Sequence, residues 1–349
     1  MEIRFFRDIN LQDPFFDSLK AAYAEFEDWY NRKAGENKNA IVHFADNGEV
    51  DGFLFLKIED NELTDVVPNR AAATRLKVGT FKINPHGTRL GERFIKKIMD
   101  VAIHCEVEEI YVTIFEEHIG LIQLLEKYGF ERGGTKTTAN GVEQVLFKNM
   151  RRLTGNVVFD YPLMQVNGKR KVALSIYPIY HSEMFPDSIL VNENYDLIRD
   201  ISHTNSIHKI YVCYMFNVNA LRPGDIVCIY RTSDGLGPAH YRSVITSVCI
   251  VEEVKTRADF NNLDDFLRYT NSYSIFDEEE LRNDWVNDRP NLTVVKMTYN
   301  IALKRRITKQ ILTEDLNINP RYWGFYDLTD EQFNQILERG EVYENIIVN

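Results

Sequence analysis

Residues 75–100 read RLKVGTFKINPHGTRLGERFIKKIMD. Residues 76–83 predict a strand, with Leu76, Val78, Phe81 and Ile83 as its apolar contacts. Strict alternation slips at Gly79-Thr80, and an isolated Gly in a strand predicts a bulge. Pro85 ends the strand because it has no N–H to donate. His86-Gly87-Thr88-Arg89-Leu90-Gly91 then makes a turn, and Leu90, Phe94, Ile95, Ile98 and Met99 recur at helical spacing. A helix N-terminus leaves four backbone N–H groups without intrahelical partners and carries partial positive charge, so it can hold a pyrophosphate. Two readings fit these residues: an anion cradle, or a plain strand–turn–helix link whose glycines serve turn geometry.

The run His86-Gly87-Thr88-Arg89-Leu90-Gly91 resembles the acetyl-CoA signature of the GNAT-type N-acyltransferases, Arg/Gln-x-x-Gly-x-Gly/Ala after a bulged strand. Gly91 matches the last glycine and Leu90 the usual small aliphatic, whereas His86 replaces Arg or Gln and Arg89 replaces the middle Gly. The order that follows is also GNAT-like. Residues 109–115, EIYVTIF, read as a strand. Residues 118–128 read as a helix burying Ile119, Leu121, Ile122, Leu124 and Leu125, and Gly129-Phe130 closes it with Gly as C-cap. The resemblance covers residues 1–150 and implies a mixed, mostly antiparallel sheet with flanking helices.

The 349 residues suffice for two domains of ordinary size. With 44% hydrophobic and 27% charged residues the chain reads as globular. A net charge of −11 argues against broad attraction to nucleic acid, although a local basic patch is compatible with it. Cys105, Cys213, Cys228 and Cys249 show no CxxC spacing and read as reduced thiols, as in a cytoplasmic protein. No apolar run reaches about eighteen residues, and MEIRFFRDIN lacks a signal-peptide core, so neither a membrane span nor export is expected.

Residues 2–9 begin as a strand with Ile3 and Phe5 on one side. Asp13-Pro14 predicts the start of a single helix carrying Phe15, Phe16, Leu19, Ala22, Tyr23, Phe26 and Tyr30. Its other face bears Glu25, Glu27 and Asp28, either a solvated face or the wall of a cleft for a cationic acceptor. Residues 40–44 and 50–58 read as a hairpin turning at Asp46-Asn47-Gly48, and Asn140-Gly141 turns the last one.

The resemblance implies direct transfer of an acyl group from acetyl-CoA to an amine. It implies backbone contacts to pantetheine from Phe81, Lys82 and Ile83, and a pyrophosphate cradle made by Gly87, Thr88, Arg89, Leu90, Gly91 and Glu92. The family's usual acid, a Tyr four residues before the helix-closing Gly, falls on Leu125 here, while Tyr128 points elsewhere on the helix. The expected catalytic residues are Glu116 and His118, which with Glu117 cluster after the second core strand. The same residues also suit a plain helix start.

Residues 148–155 mark a boundary, and 151–349 form a second domain rich in predicted strands, read as a small β-barrel, so the whole chain is α+β. Its LRPGDIVCIYRTSD, followed by YRSVITSVCIVEEV, resembles the PUA-like superfamily with its ASCH and EVE branches, which implies RNA or a modified base as partner. Candidate contacts are Tyr180, His181, Asn205, His208, Lys209, Arg231, Ser233, Tyr322 and Trp323, through stacking and phosphate bonds. Each also reads as core or ordinary surface. Lys304-Arg305-Arg306 and Lys309 read as a phosphate-facing edge or a solvated face. The histidines and cysteines lack zinc-ligand spacing, so no metal is expected.

Two functions follow. One is an N-acetyltransferase using acetyl-CoA, with RNA or aminoacyl-tRNA presented by the PUA-like domain, or else a protein or small-molecule amine, as acceptor. The other is a nucleic-acid or modified-base sensor with a degenerate GNAT domain.

Overall fold

The computed structural model describes residues 1–84, 89–185, 206–287, 290–342 and 344–348, and backbone contacts divide the chain into Met1–Arg152 and Leu153–Asn349. His86, Gly87, Thr88 and Asn205 lie outside the described residues. The first unit contains strands β1 (Glu2–Phe5), β2 (Asn39–Phe44), β3 (Val50–Glu59), β4 (Arg75–Ile83), β5 (Glu109–Phe115), β6 (Glu131–Thr138) and β7 (Gly141–Asn149). Its helices are α1 (Asp17–Ala22), α2 (Phe26–Gly35), α3 (Leu90–His104) and α4 (Ile119–Lys127). The seven strands form one sheet in the order β1-β2-β3-β4-β5-β7-β6. Only β4 and β5 run parallel, and parallel neighbours need a crossover, which α3 supplies.

The bulge expected in β4 is present. Phe55 of β3 faces Thr80 and Leu56 faces Val78, so Gly79 is the extra residue. A Cβ on Gly79 would stand 2.9 Å from Phe55 Cδ1, which excludes a larger residue there. The turn that closes α4 is as expected too. Gly129 takes φ +79°, and the N–H groups of Gly129 and Phe130 return to the carbonyls of Glu126 and Leu125.

The single helix expected after Asp13 is broken. The Asp13 carboxylate accepts the Phe15 N–H, and Pro14–Phe16 forms a 3₁₀ turn leading into α1. Tyr23 then turns extended, with φ −130° and ψ 103°, before α2 begins. Phe6, Phe16, Phe26, Tyr30 and Phe53 nonetheless form one buried aromatic core, and the Tyr30 hydroxyl donates to the Phe6 carbonyl at 3.0 Å. In β1, Ile3 and Phe5 are exposed rather than packed. Ile119, expected to be buried, is 61% exposed because α4 begins there.

The second unit contains β8 (Met164–Gln165), β9 (Lys171–Ile176), β10 (His208–Cys213), β11 (Ile226–Arg231), β12 (Val244–Thr256), β13 (Thr293–Thr308), β14 (Phe325–Leu328) and β15 (Ile347–Val348). Its helices are α5 (Val157–Asp160), α6 (Pro178–Met184), α7 (Ala239–Arg242), α8 (Leu263–Thr270), α9 (Glu278–Val286) and α10 (Asp330–Arg339). Residues 157–160 are helical, started by Asn156, whose side chain caps the N–H groups of Val158 and Phe159.

The expected barrel is not closed among the described residues. A six-stranded mixed sheet runs β10-β13-β12-β11-β9-β14, with β10 and β14 at its edges. It coils instead. The β12/β13 register shifts at Ile245/Ser247, Val248/Cys249 and Val251/Glu253, and each bulge adds twist. As a result Leu174, Tyr211, Ile229, Cys249, Met297 and Phe325, from all six strands, share one core. The Tyr211 hydroxyl donates to the Ser175 carbonyl at 3.5 Å, spanning from β10 to β9. On the other face Ile210, Val212 and Val294 pack against Phe266 and Leu281 of α8 and α9. Cys213, Cys228 and Cys249 are buried free thiols and Cys105 is an exposed one.

Candidate active site and a second cavity

The pairing of β4 with β5 covers Arg75–Val78 against Glu109–Val112 and goes no further among the described residues. Past the Gly79 bulge the two strands part, since β4 continues to Ile83 and β5 to Phe115. The opening between them has two different faces.

On one face lies α3. Phe81 of β4 packs on Phe94 with ring centroids 5.6 Å apart, and Ile83 packs beside Gly91. A Cβ on Gly91 would stand 2.6 Å from Leu124 Cδ2 and 3.0 Å from Ile83 Cδ1, so this glycine sets how closely α3 meets α4 and β4. The side chain of Arg89, the N-cap residue, does not cap the start of α3. Arg89, which precedes it, has φ +57°, the left-handed region that glycine occupies most readily. Arg89, which stands where the signature has its middle glycine, thus adopts the conformation a glycine would take most easily. Glu92 is buried in the first helical turn, and the fully buried Tyr128 donates its hydroxyl to that carboxylate. Leu125 is wholly buried core.

On the other face the segment from Phe15 to Tyr23 crosses the opening. Lys82 of β4 reaches it, donating to Ser18 Oγ at 2.6 Å and to the Phe15 carbonyl. Burial lowers the pKa of the Lys82 ammonium, against the opposing pull of Asp17 and Asp13. At the far side, the Tyr23 ring lies 5.4 Å from Phe115 of β5, and its hydroxyl donates to Glu143 Oε1 at 3.0 Å. Glu143 is the register partner of Phe115 and is 4% exposed. Burial first, then the charges of Glu143, Glu25 and Glu117, push the Tyr23 phenol well above its ordinary range. Glu25 is itself held by the Asn140 amide at 2.9 Å. The break in the N-terminal helix thus brings a tyrosine onto the buried Glu143 carboxylate beside the opening, with Glu25 and Glu117 adding negative charge around it.

The sequence reading missed Tyr23 and Glu143. Tyr23 passed for one more core position in a helix. Glu143 carried a usable signal: it alternates with Val145 and Phe147, so its carboxylate sits on an apolar face of β7. The residues expected to be catalytic lie close by in the chain but stand in solvent. Glu116, Glu117 and His118 are exposed in the turn from β5 to α4. Glu116 is paired with Arg132 at 2.7 Å, and His118 occupies the α4 N-cap without capping it through its side chain.

In the second unit the candidate nucleic-acid residues do not share a surface. His181 is wholly buried on α6, 2.8 Å from Thr246 Oγ1, and burial, with Arg231 and Arg306 behind it, pushes its pKa down to about 3. His208 is buried against Glu252, which also bonds Lys296 at 2.9 Å. Burial raises the Glu252 pKa, but the His208 hydrogen bond and the two positive partners outweigh it, and the net direction is down. Lys209 is 2% exposed beneath the rings of Phe185 and Tyr299. Arg231 is 2% exposed with Asp234 at 3.9 Å, and the Ser233 hydroxyl accepts from Gly235 N–H. Tyr180, Tyr322 and Trp323 do converge, on a cavity of about 790 Å³ that opens beside β9 and β10.

Among the described residues no group of three or more His, Cys, Asp and Glu is placed to hold a metal ion, and no helix is long and apolar enough to cross a membrane.

No family model matches the chain, and no curated protein matches it. Solved structures resemble it in part. The ASCH protein from Zymomonas mobilis is 10% identical over 48% of this chain and 94% of its own, with a TM-score of 0.34. A GNAT superfamily phosphinothricin acetyltransferase from Sinorhizobium meliloti, solved in complex with AcCoA, is 13% identical over 42% of this chain and 87% of its own, with a TM-score of 0.32. Nourseothricin acetyltransferase is 18% identical over 31% of this chain and 62% of its own, with a TM-score of 0.25. The chain is thus similar in part to an ASCH protein and in part to GNAT acetyltransferases, and these likenesses name no substrate for it.

Proposed function

We propose that the first unit transfers an acetyl group from acetyl-CoA to an amine. The observation that supports this is the opening between β4 and β5, with the start of α3 on one face and the Tyr23–Glu143 cluster on the other. The residues present fit the donor. Beyond Gly79, β4 offers a strand edge that no strand covers among the described residues, suited to the amides of an extended pantetheine arm. The first turn of α3, from Leu90 to Glu92, whose N-cap residue Arg89 does not cap it through its side chain, suits a pyrophosphate. When bound, acetyl-CoA supplies the activated carbonyl.

The chain's own groups handle the acceptor. Glu25 and Glu117 draw an ammonium toward the opening, and Glu143, oriented by the Tyr23 hydroxyl, takes its proton through water. The neutral amine nitrogen would then bond to the thioester carbon, the carbon–sulfur bond would break, and the leaving thiolate would take the second nitrogen proton, releasing CoA as the thiol. A backbone N–H beside the Gly79 bulge stabilises the oxyanion between those events. Glu116 and His118 are the alternative proton acceptors, being exposed in the neighbouring turn. The carboxylates favour a compact cationic amine, on a protein or a small molecule, over an RNA or aminoacyl-tRNA acceptor.

The test is calorimetric titration of acetyl-CoA, followed by thiol release with lysine peptides, small amines, RNA and aminoacyl-tRNA as acceptors. Acetyl-CoA at a hundred times its dissociation constant should raise stability by about 2.7 kcal/mol. The absence of both binding heat and stabilisation at millimolar acetyl-CoA would overturn the proposal and leave a non-catalytic first unit. Glu143→Gln, compared with His118→Ala and Glu116→Gln, identifies the base.

A further inference from the structure

The cavity in the second unit has walls of aromatic rings. The Tyr180 and Tyr211 rings lie 4.8 and 6.2 Å from that of Phe276, and Trp323 is backed by Tyr230, outside the lining, with the rings tilted and 5.5 Å apart. Its mouth is rimmed by Tyr177, Phe216 and Tyr322, which are 67%, 72% and 56% exposed. Exposed aromatics gathered around one opening mark a binding site more often than scattered ones do. The remaining wall comes from one face of α9, where Glu280, Asn283 and Asp284 follow at helical spacing. Among the described residues that line it there is no lysine, arginine or histidine. Aromatic rings carry negative π faces, and the formal charges among the described lining residues are the carboxylates of Glu280 and Asp284. A phosphate would meet repulsion from these carboxylates, and a cation would meet attraction from them and from any ring face it reaches.

We propose that this cavity binds an organic cation of the alkylammonium class. At about 790 Å³ it lies within the usual size of small-molecule pockets, roughly 300–1,000 Å³, and leaves room for more than a bare ammonium head. The fold already makes such a contact beside it, since Lys309 Nζ sits 4.4 Å over the Trp323 ring. The proposal does not depend on the first unit's chemistry. The rings explain why Tyr180 and Trp323 read as base-stacking residues in the sequence. The α9 carboxylates, separated from them by some hundred residues on one side and forty on the other, decide the sign of the ligand.

The test is isothermal titration of the full chain, without acetyl-CoA, using choline, its neutral isostere 3,3-dimethylbutan-1-ol, and cytidine monophosphate. Choline should bind, with the neutral isostere about tenfold weaker or more, because only the cation gains from the π faces and carboxylates. Glu280→Gln keeps the capping box with Asp277, since Gln serves there as well as Glu, and so removes charge without undoing the start of α9. Combined with Asp284→Asn it should weaken choline about tenfold. Asp284→Asn alone lies outside the capping box and gives the same direction should the double variant fold poorly. Three results would overturn the proposal: no choline binding at millimolar concentration, equal binding of the isostere, or tighter binding of cytidine monophosphate that ignores both substitutions.

Discussion

Acidification from pH 6.5 to 4.5 should destabilise the second unit through one buried histidine. His181 is fully enclosed, and its folded-state pKa is pushed from 6.5 down to about 3. In the unfolded chain the imidazole takes up a proton as the pH falls through 6.5, whereas in the fold it stays neutral until far lower. The unfolded state therefore binds more protons throughout this window, and stability is lost as the pH falls. Integrated over those two pH units, the loss is about 2 kcal/mol. The carboxylates that folding holds below their ordinary range, such as Glu252 and Asp234, exert most of their effect below about pH 4.5. The assay is urea denaturation at half-unit pH steps, comparing the parent with His181→Gln, whose amide can still meet Thr246. The variant is expected to be less stable at neutral pH, but its stability should be flatter between pH 6.5 and 4.5. Parallel pH dependences in the two proteins would refute the reasoning, since His181 would then not be the group that takes up the proton.

Other perturbations separate the roles of individual residues. Arg89→Gly should stabilise the first unit by roughly 0.5–1 kcal/mol by relieving the left-handed backbone at that position, whereas Arg89→Ala should not; equal midpoints in denaturant would contradict this. Gly91→Ala should cost about 1–3 kcal/mol despite alanine's better helix propensity, because the new methyl meets Leu124 and Ile83; a variant more stable than the parent would show that the α3–α4 contact yields freely. Glu143→Gln should lower turnover of a cationic amine by about a hundredfold or more while acetyl-CoA binding persists, and Tyr23→Phe should lower it less; unchanged turnover in both would remove the pair from proton transfer.

The parts of this fold legible in the sequence are those decided locally. Gly79 marks its bulge, Gly129 its helix end, and Thr329 caps α10 through a reciprocal bond with Gln332, because each device acts within a few residues. What escaped depends on distant contacts. The helix breaks at Tyr23 for a partner 120 residues further along, Glu143, and no local pattern announces such a break. Lys209 and Arg231 look like surface charges in a list of residues, yet both are enclosed, Lys209 under aromatic rings. The coiled sheet of the second unit escaped for a similar reason. The parallel pairing of β9 with β11 and the bulges of β12 against β13 are decided by tertiary packing rather than by alternation. Within the site, the β4 edge, the start of α3 and the acidic residues Glu25 and Glu117 were legible from the sequence, and the Tyr23–Glu143 pair was not.

The pairing of β9 with β14 has a consequence for how the chain is made. Leu174 faces Phe325 and Lys171 faces Leu328, so the first long strand of the second sheet waits for the last one. Roughly 150 residues separate them, which at about 5–20 residues per second means on the order of 10–30 s of synthesis. During that interval KVALSI is an apolar, proline-free edge available to any other growing chain. Translation stalled anywhere before residue 325 leaves that edge uncovered. Nascent chains of this protein should therefore depend on chaperones late in synthesis, when the first unit is already complete and the second is still missing its closing strand.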